Sequence, residues 1–135
     1  MSTKETILIA EDSVPNRKIL MHLLEKLGYN VEACEDGLQA REKLENKEVE
    51  NLVAVISDIM MPNEDGLQLL KYVRGSEEYK DLPFILVTAV SEKEYILQAK
   101  SLNVNGYILK PVTFQRVIGK LKEIFPNKTF PNVAA

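Results

Sequence analysis

The chain has one cysteine, one histidine and no apolar run long enough to cross a bilayer. A lone Cys34 excludes an internal disulfide and fits a reducing compartment. It falls in "NVEAC", which reads as a strand, so a buried structural thiol is expected there. The lone His22 lies among Arg17, Lys18, Glu25 and Lys26, and a solvated or packing role is expected for it. Excess positive charge is also missing. Lys and Arg total 17 against 20 Asp and Glu, a net charge of −3, so the surface is no footprint for nucleic acid. The opening "MSTKETILIAEDS" has too short an apolar stretch for a signal peptide. These absences together predict a soluble cytoplasmic protein without a membrane or direct nucleic-acid partner. No internal repeat or low-complexity block is present.

What remains has the balance of a globular domain, 45% hydrophobic and 27% charged. At 135 residues one domain is expected, large enough to bury a core without disulfides or structural metal. The apolar period switches repeatedly along it. "TILIA" (Thr6 to Ala10) reads as a short buried strand, with Asp12 and Ser13 as capping residues before a helix. Leu20, Leu23, Leu24 and Leu27 make one apolar stripe on that helix, and Gly28 closes it. "NVEAC" is a second strand and Leu38 to Asn46 a second helix, while Asn51 to Ser57 has the continuous apolar run of a strand buried on both faces.

A helix from about Asp65 to Arg74 follows, with Leu67, Leu70 and Val73 as core contacts. Pro83 introduces "FILVT", a fourth strand. Ser91 to Leu102 reads as a helix with a capping box of Ser91 and Glu94. "GYILK" is a fifth strand, and Thr113 caps a last helix carrying Phe114, Val117, Ile118 and Leu121 on one face. "PNKTFPNVAA" has no period and reads as a loose tail. Five strands alternating with five helices predict an α/β, doubly wound parallel sheet.

In such sheets the working site lies beyond the carboxyl ends of the strands. The first strand delivers Glu11 and Asp12 there, the third Asp58, the fourth Thr88, the fifth Lys110 and then Pro111. Carboxylates gathered from neighbouring strand ends repel one another unless a positive charge intervenes. Lys110 offers one, and a divalent cation would offer more. Oxygen ligands without His or Cys nearby favour Mg²⁺, which suits Asp12 and Asp58 directly and Glu11 through water. A carboxylate with a metal, an ammonium and a hydroxyl around it is equipped for phosphoryl transfer, with Asp58 as nucleophile. Singly, Asp12 and Asp58 are ordinary caps, Lys110 a surface lysine and Thr88 a strand residue. Only the combination points to chemistry.

The motifs "AEDS", "DIMMPNEDG", "VTA" and "GYILKP", in that order on successive strand ends, resemble the receiver domain of two-component response regulators. The resemblance runs from Thr6 to about Phe125. It implies a flavodoxin-like sheet of order 2-1-3-4-5, a receiver domain over residues 1–126 and a loose tail over 127–135. It also implies that Asp58 takes phosphate from a histidine kinase or phosphotransfer protein. Glu11, Asp12, Asp58 and the Met60 carbonyl would serve Mg²⁺, and Thr88 and Tyr107 would be the switch pair. The Lys110–Pro111 peptide is expected cis, and Met60 and Val90 would flank the phosphoryl group. Arg41 departs from the pattern, since receivers often have an apolar residue there, so its face is shifted or its stem covers apolar surface.

The expected output is a chemotaxis-like messenger whose surface from the fourth helix to the fifth binds a downstream protein. A phosphorelay intermediate, a phosphate sink or a receiver cut from a longer chain are the alternatives. An aspartate-nucleophile phosphatase would need a second acid two residues after its nucleophile, where Met60 stands. A flavin carrier would need a phosphate loop where "EDSVPN" is acidic. The complete acidic, Thr and Lys set argues against a degenerate receiver.

Overall fold

All residues of Thr6–Ala10 and Phe84–Thr88 are buried, which requires cover on both faces of a sheet. The computed structural model describes residues 4–89 and 92–130. Among these, ten elements alternate in chain order. They are β1 (Thr6–Ala10), α1 (Val14–Lys26), β2 (Asn30–Cys34), α2 (Gly37–Glu45) and β3 (Leu52–Asp58), then α3 (Gly66–Gly75), β4 (Phe84–Thr88), α4 (Lys93–Ser101), β5 (Gly106–Leu109) and α5 (Phe114–Ile124). The strands form one parallel sheet of order β2-β1-β3-β4-β5.

Side chains alternate across the sheet and sort the core into two layers. Leu8, Val55, Phe84 and Leu86 face α2, α3 and α4, packing on Leu44, Leu70 and Val73. Ile7, Ile9, Ile56, Ile85 and Val87 face α1 and α5, packing on Leu24, Val117 and Leu121. Cys34 is fully buried in the first layer, and burial pushes its thiol up to about 12, so it is inert at neutral pH. His22 is exposed on α1.

Helix starts follow local chemistry. Asp36 accepts from the Gln39 N–H at 2.8 Å, and Asp65 and Gln68 form a reciprocal capping box. Thr113 accepts from the Arg116 N–H. Gly28, at φ +96°, ends α1 in a Schellman turn, with its N–H on the Glu25 carbonyl and the Tyr29 N–H on Leu24.

Several boundaries differ from expectation, with α2 running Gly37–Glu45 and β5 ending at Leu109. The third strand starts at Leu52, because Asn51 takes a left-handed φ of +55°, and it runs on to include Asp58. The α4 helix is described from Lys93, with Glu92 at its N-cap making no side-chain capping bond. Ser91 and the capping box expected on it lie outside the described residues. Part of the expected loose tail also makes contacts: Lys128 pairs with Glu5 and lies 4.3 Å over the Tyr29 ring, which Phe130 adjoins at 6.5 Å.

At the sheet's far end from the strand tips, Arg74 donates to the carbonyls of Lys80, Leu82, Leu102 and Asn103 and to the Asn105 side chain. Asn105 in turn accepts from the Phe84 N–H at 2.8 Å. One guanidinium thus ties together the end of α3, the start of β4 and the approach to β5.

The backbone at Gly66 touches the end of β3. A Cβ there would stand 2.2 Å from the Asp58 carbonyl oxygen and 3.0 Å from the Ile59 Cα, both backbone that must shift. Gly66→Ala is therefore expected to cost about 3 kcal/mol of stability, as overpacking a rigid contact does. Urea unfolding checks this, and a change within about 0.5 kcal/mol would show that the strand end yields freely.

Candidate functional site

The order β2-β1-β3 places the turning point of the sheet between β1 and β3, where a crevice opens at their carboxyl ends. Glu11 continues β1 by donating its N–H to the Cys34 carbonyl at 3.1 Å, which fixes its side chain at the sheet edge. Its carboxylate accepts from the Ser13 N–H at 3.1 Å, and Arg17 holds its carbonyl at 2.8 Å. Asp58 ends β3, backed by the Ile59 N–H on the Val87 carbonyl and by the Ser57 hydroxyl on its own carbonyl. Glu11 and Asp58 are buried, at 4% and 3% exposure, while Asp12 is exposed. One carboxylate oxygen from each of the three lies within 4.8 Å of the others.

Lys110 follows β5, fixed by its N–H on the Thr88 carbonyl at 2.9 Å. Its Nζ lies 3.0 Å from each Asp58 carboxylate oxygen. The peptide to Pro111 is cis, and Arg116 braces the turn by donating to the Leu109 and Pro111 carbonyls. Thr88, fully buried at the end of β4, donates its hydroxyl to Glu92 at 2.7 Å, with the Ala89 carbonyl at 3.1 Å.

Met60 is half exposed beside Asp58. Tyr107 is also partly exposed at the outer strand, with the Lys120 ammonium 5.8 Å from its ring centre. Thus Glu11, Asp12, Asp58 and Lys110 share one hollow, Thr88 stands at its margin and Tyr107 faces outward. Val90 lies outside the described residues.

Electrostatics follow from the crowding. Burial, then the neighbouring Asp58 carboxyl, push Glu11 up to about 8. Burial also raises Asp58, opposed by Glu11 and by Lys110. Lys110 loses hydration, yet its hydrogen bond and attraction to Asp58, then the charges of Glu11 and Glu92, raise it. Without a cation the hollow therefore keeps a proton on Glu11 near neutral pH while Asp58 pairs with Lys110.

Two partners had no signal in local pattern. Arg41 bridges α2 to the loop after β3, its Nε 2.8 Å from Glu64, and it also meets Glu45. Asn63 donates to Asp36 at 2.6 Å. Both brace the loop that carries Met60. The Glu92–Thr88 bond was missed as well, since acidic residues at a helix start read as ordinary first-turn charges.

A carboxyl held protonated in the fold and ionised in the unfolded chain makes folding take up a proton. Between about 4.5, its ordinary value, and about 8, stability therefore falls as pH rises. In chelator, the melting temperature is expected to decline across that window and Glu11→Gln to lose most of the decline. An unchanged slope in the variant would remove Glu11 as its source.

Comparison with known proteins bears on the family and the fold. Residues 7–122 match the response regulator receiver domain. The chain is 39% identical over 120 residues to chemotaxis protein CheY-3 of Vibrio cholerae, covering 88% of this chain and 90% of that one. It is 38% identical to chemotaxis protein CheY of Pseudomonas aeruginosa, covering 88% and 94%. Among solved structures, the chemotaxis response regulator CheY4 of Vibrio cholerae superposes with a TM-score of 0.79 at 28% identity, covering 90% and 99%. A putative response regulator from Chloroflexus aurantiacus gives 0.82 at 26% identity, covering 93% and 100%. The chain belongs to the response regulator receiver domain family.

Proposed function

We propose that this receiver is a phosphorylation-dependent switch in which Asp58 takes a phosphoryl group from the phosphohistidine of a sensor histidine kinase or phosphotransfer protein. The observation that carries this reading is the Lys110 ammonium, 3.0 Å from both oxygens of a buried carboxylate at a strand end. An Asp58 oxygen attacks phosphorus, the P–N bond breaks, and its electron pair leaves with the imidazole. The product is an acyl phosphate. Lys110 then moves its charge from the carboxylate to a phosphoryl oxygen, and the Thr88 hydroxyl supplies a further hydrogen bond.

Mg²⁺ fits the donor set, which is oxygen only and in which burial, then the neighbouring Asp58 carboxyl, raise Glu11. Glu11, Asp12, Asp58 and the Met60 carbonyl would hold it. When bound it supplies charge neutralisation to the phosphoryl oxygens.

The readout follows from two neighbours of the site. Turning Thr88 toward the phosphoryl group frees space near β5, and Tyr107, partly exposed, swings inward. The face of α4, β5 and α5 then presents a changed surface to a downstream protein. The donor's approach is supported by a groove of about 450 Å³ beside Lys110, lined by Asn16, Ile19, Pro111 and Val112.

With Mg²⁺ and a small acyl phosphate, intact mass spectrometry should record one added phosphoryl group, absent in Asp58→Asn and in chelator. Lys110→Ala should slow the addition by on the order of 10². Addition that persists in Asp58→Asn would move the acceptor elsewhere. Met60, half exposed beside Asp58, is expected to hinder the attacking water, so Met60→Asn should hasten phosphate loss. An unchanged decay rate would exclude that shielding.

A further inference from the structure

Glu92 stands at the N-cap of α4 but does not act as a cap. Its backbone, at φ −102° and ψ 31°, is outside the extended region used by capping residues, and its side chain makes no bond to the helix. It folds back instead. Its carboxylate accepts the Thr88 hydroxyl at 2.7 Å and the Ala89 N–H at 3.2 Å, while its own N–H donates to the Ala89 carbonyl at 3.1 Å. The side chain is thus aimed at the margin of the acidic hollow, and its negative charge is among those that act on the Lys110 ammonium.

A threonine hydroxyl has one proton. While Glu92 holds it, Thr88 cannot donate to an oxygen bound at Asp58. The carboxylate is the stronger of the two acceptors in reach, since charge-assisted hydrogen bonds are about twice as strong as neutral ones.

We infer that Glu92 is a positioning residue, a latch that holds the Thr88 hydroxyl away from Asp58 until a phosphoryl group arrives. This rests on the phosphoacceptor reading above. A phosphoryl group on Asp58 opens the latch in two ways. It offers Thr88 a competing charged acceptor, and it adds negative charge facing the Glu92 carboxylate. By linkage, weakening the latch also favours the phosphorylated state.

The test is NMR of the isotope-labelled full chain, following the Thr88 methyl in wild type, Glu92→Ala, Glu92→Gln and Glu94→Ala. Glu94 lies in the first turn of α4, and its variant controls for a general effect on that helix end. In chelator, Glu92→Ala is expected to lower the latched-to-released ratio about tenfold, the loss of one charge-assisted bond. Glu92→Gln, which keeps an acceptor but not the charge, should lower it about threefold, and Glu94→Ala should leave it unchanged. On adding Mg²⁺ and acetyl phosphate, the wild-type methyl should move in the direction already taken by Glu92→Ala.

A Thr88 methyl unmoved in both Glu92 variants overturns the latch, as does an equal shift in Glu94→Ala. A wild-type chain that gains no phosphoryl mass overturns the phosphoacceptor reading instead. The chelator arm still reports on the Glu92 contact in that case, so the two failures are told apart.

Discussion

The structure depends on one act of crowding: a parallel sheet brings the carboxylates of Glu11, Asp12 and Asp58 to adjacent strand tips and buries two of them. Left alone, such a cluster is costly, because desolvation and like charge both disfavour ionisation. Its answer in this chain comes from across the sheet, where Lys110 reaches Asp58 from the end of β5. The fold supplies the rigidity that makes the arrangement hold. Strands buried on both faces fix the tips, and the glycine at residue 66 lets the α3 backbone close on the last residue of β3.

Most of this architecture was legible in the sequence for a physical reason. Runs such as "TILIA", "NLVAVIS" and "FILVT" have no polar face, and only a doubly covered sheet accommodates several of them in one short chain. Placing every strand's last polar residue at one edge then gathered Glu11, Asp12, Asp58, Thr88 and Lys110 without any knowledge of distances. The boundaries were less legible. Asn51 adjoins the apolar run that forms β3, but its left-handed backbone belongs to the turn before that strand.

Long-range polar partners were not legible at all. Arg41 and Glu64 are 23 positions apart, and nothing in either segment names the other. Arg41 places its charge on Glu64 and Glu45 and so braces the loop after Asp58. Likewise Lys128 finds Glu5 across nearly the whole chain, so composition alone marked as loose a segment that in fact adjoins Tyr29. Periodicity reports which face is buried. It carries no information on which charge a side chain will meet.

Arg74 bears on how the receiver can move. Its five hydrogen bonds clamp the segments leading into β4 and β5 at the end of the sheet opposite the acidic hollow. Chain that is pinned at one extremity and loosened at the other pivots. If Thr88 turns as proposed, α4 and β5 would tilt about this clamped end, with the widest sweep at the rim nearest Asp58.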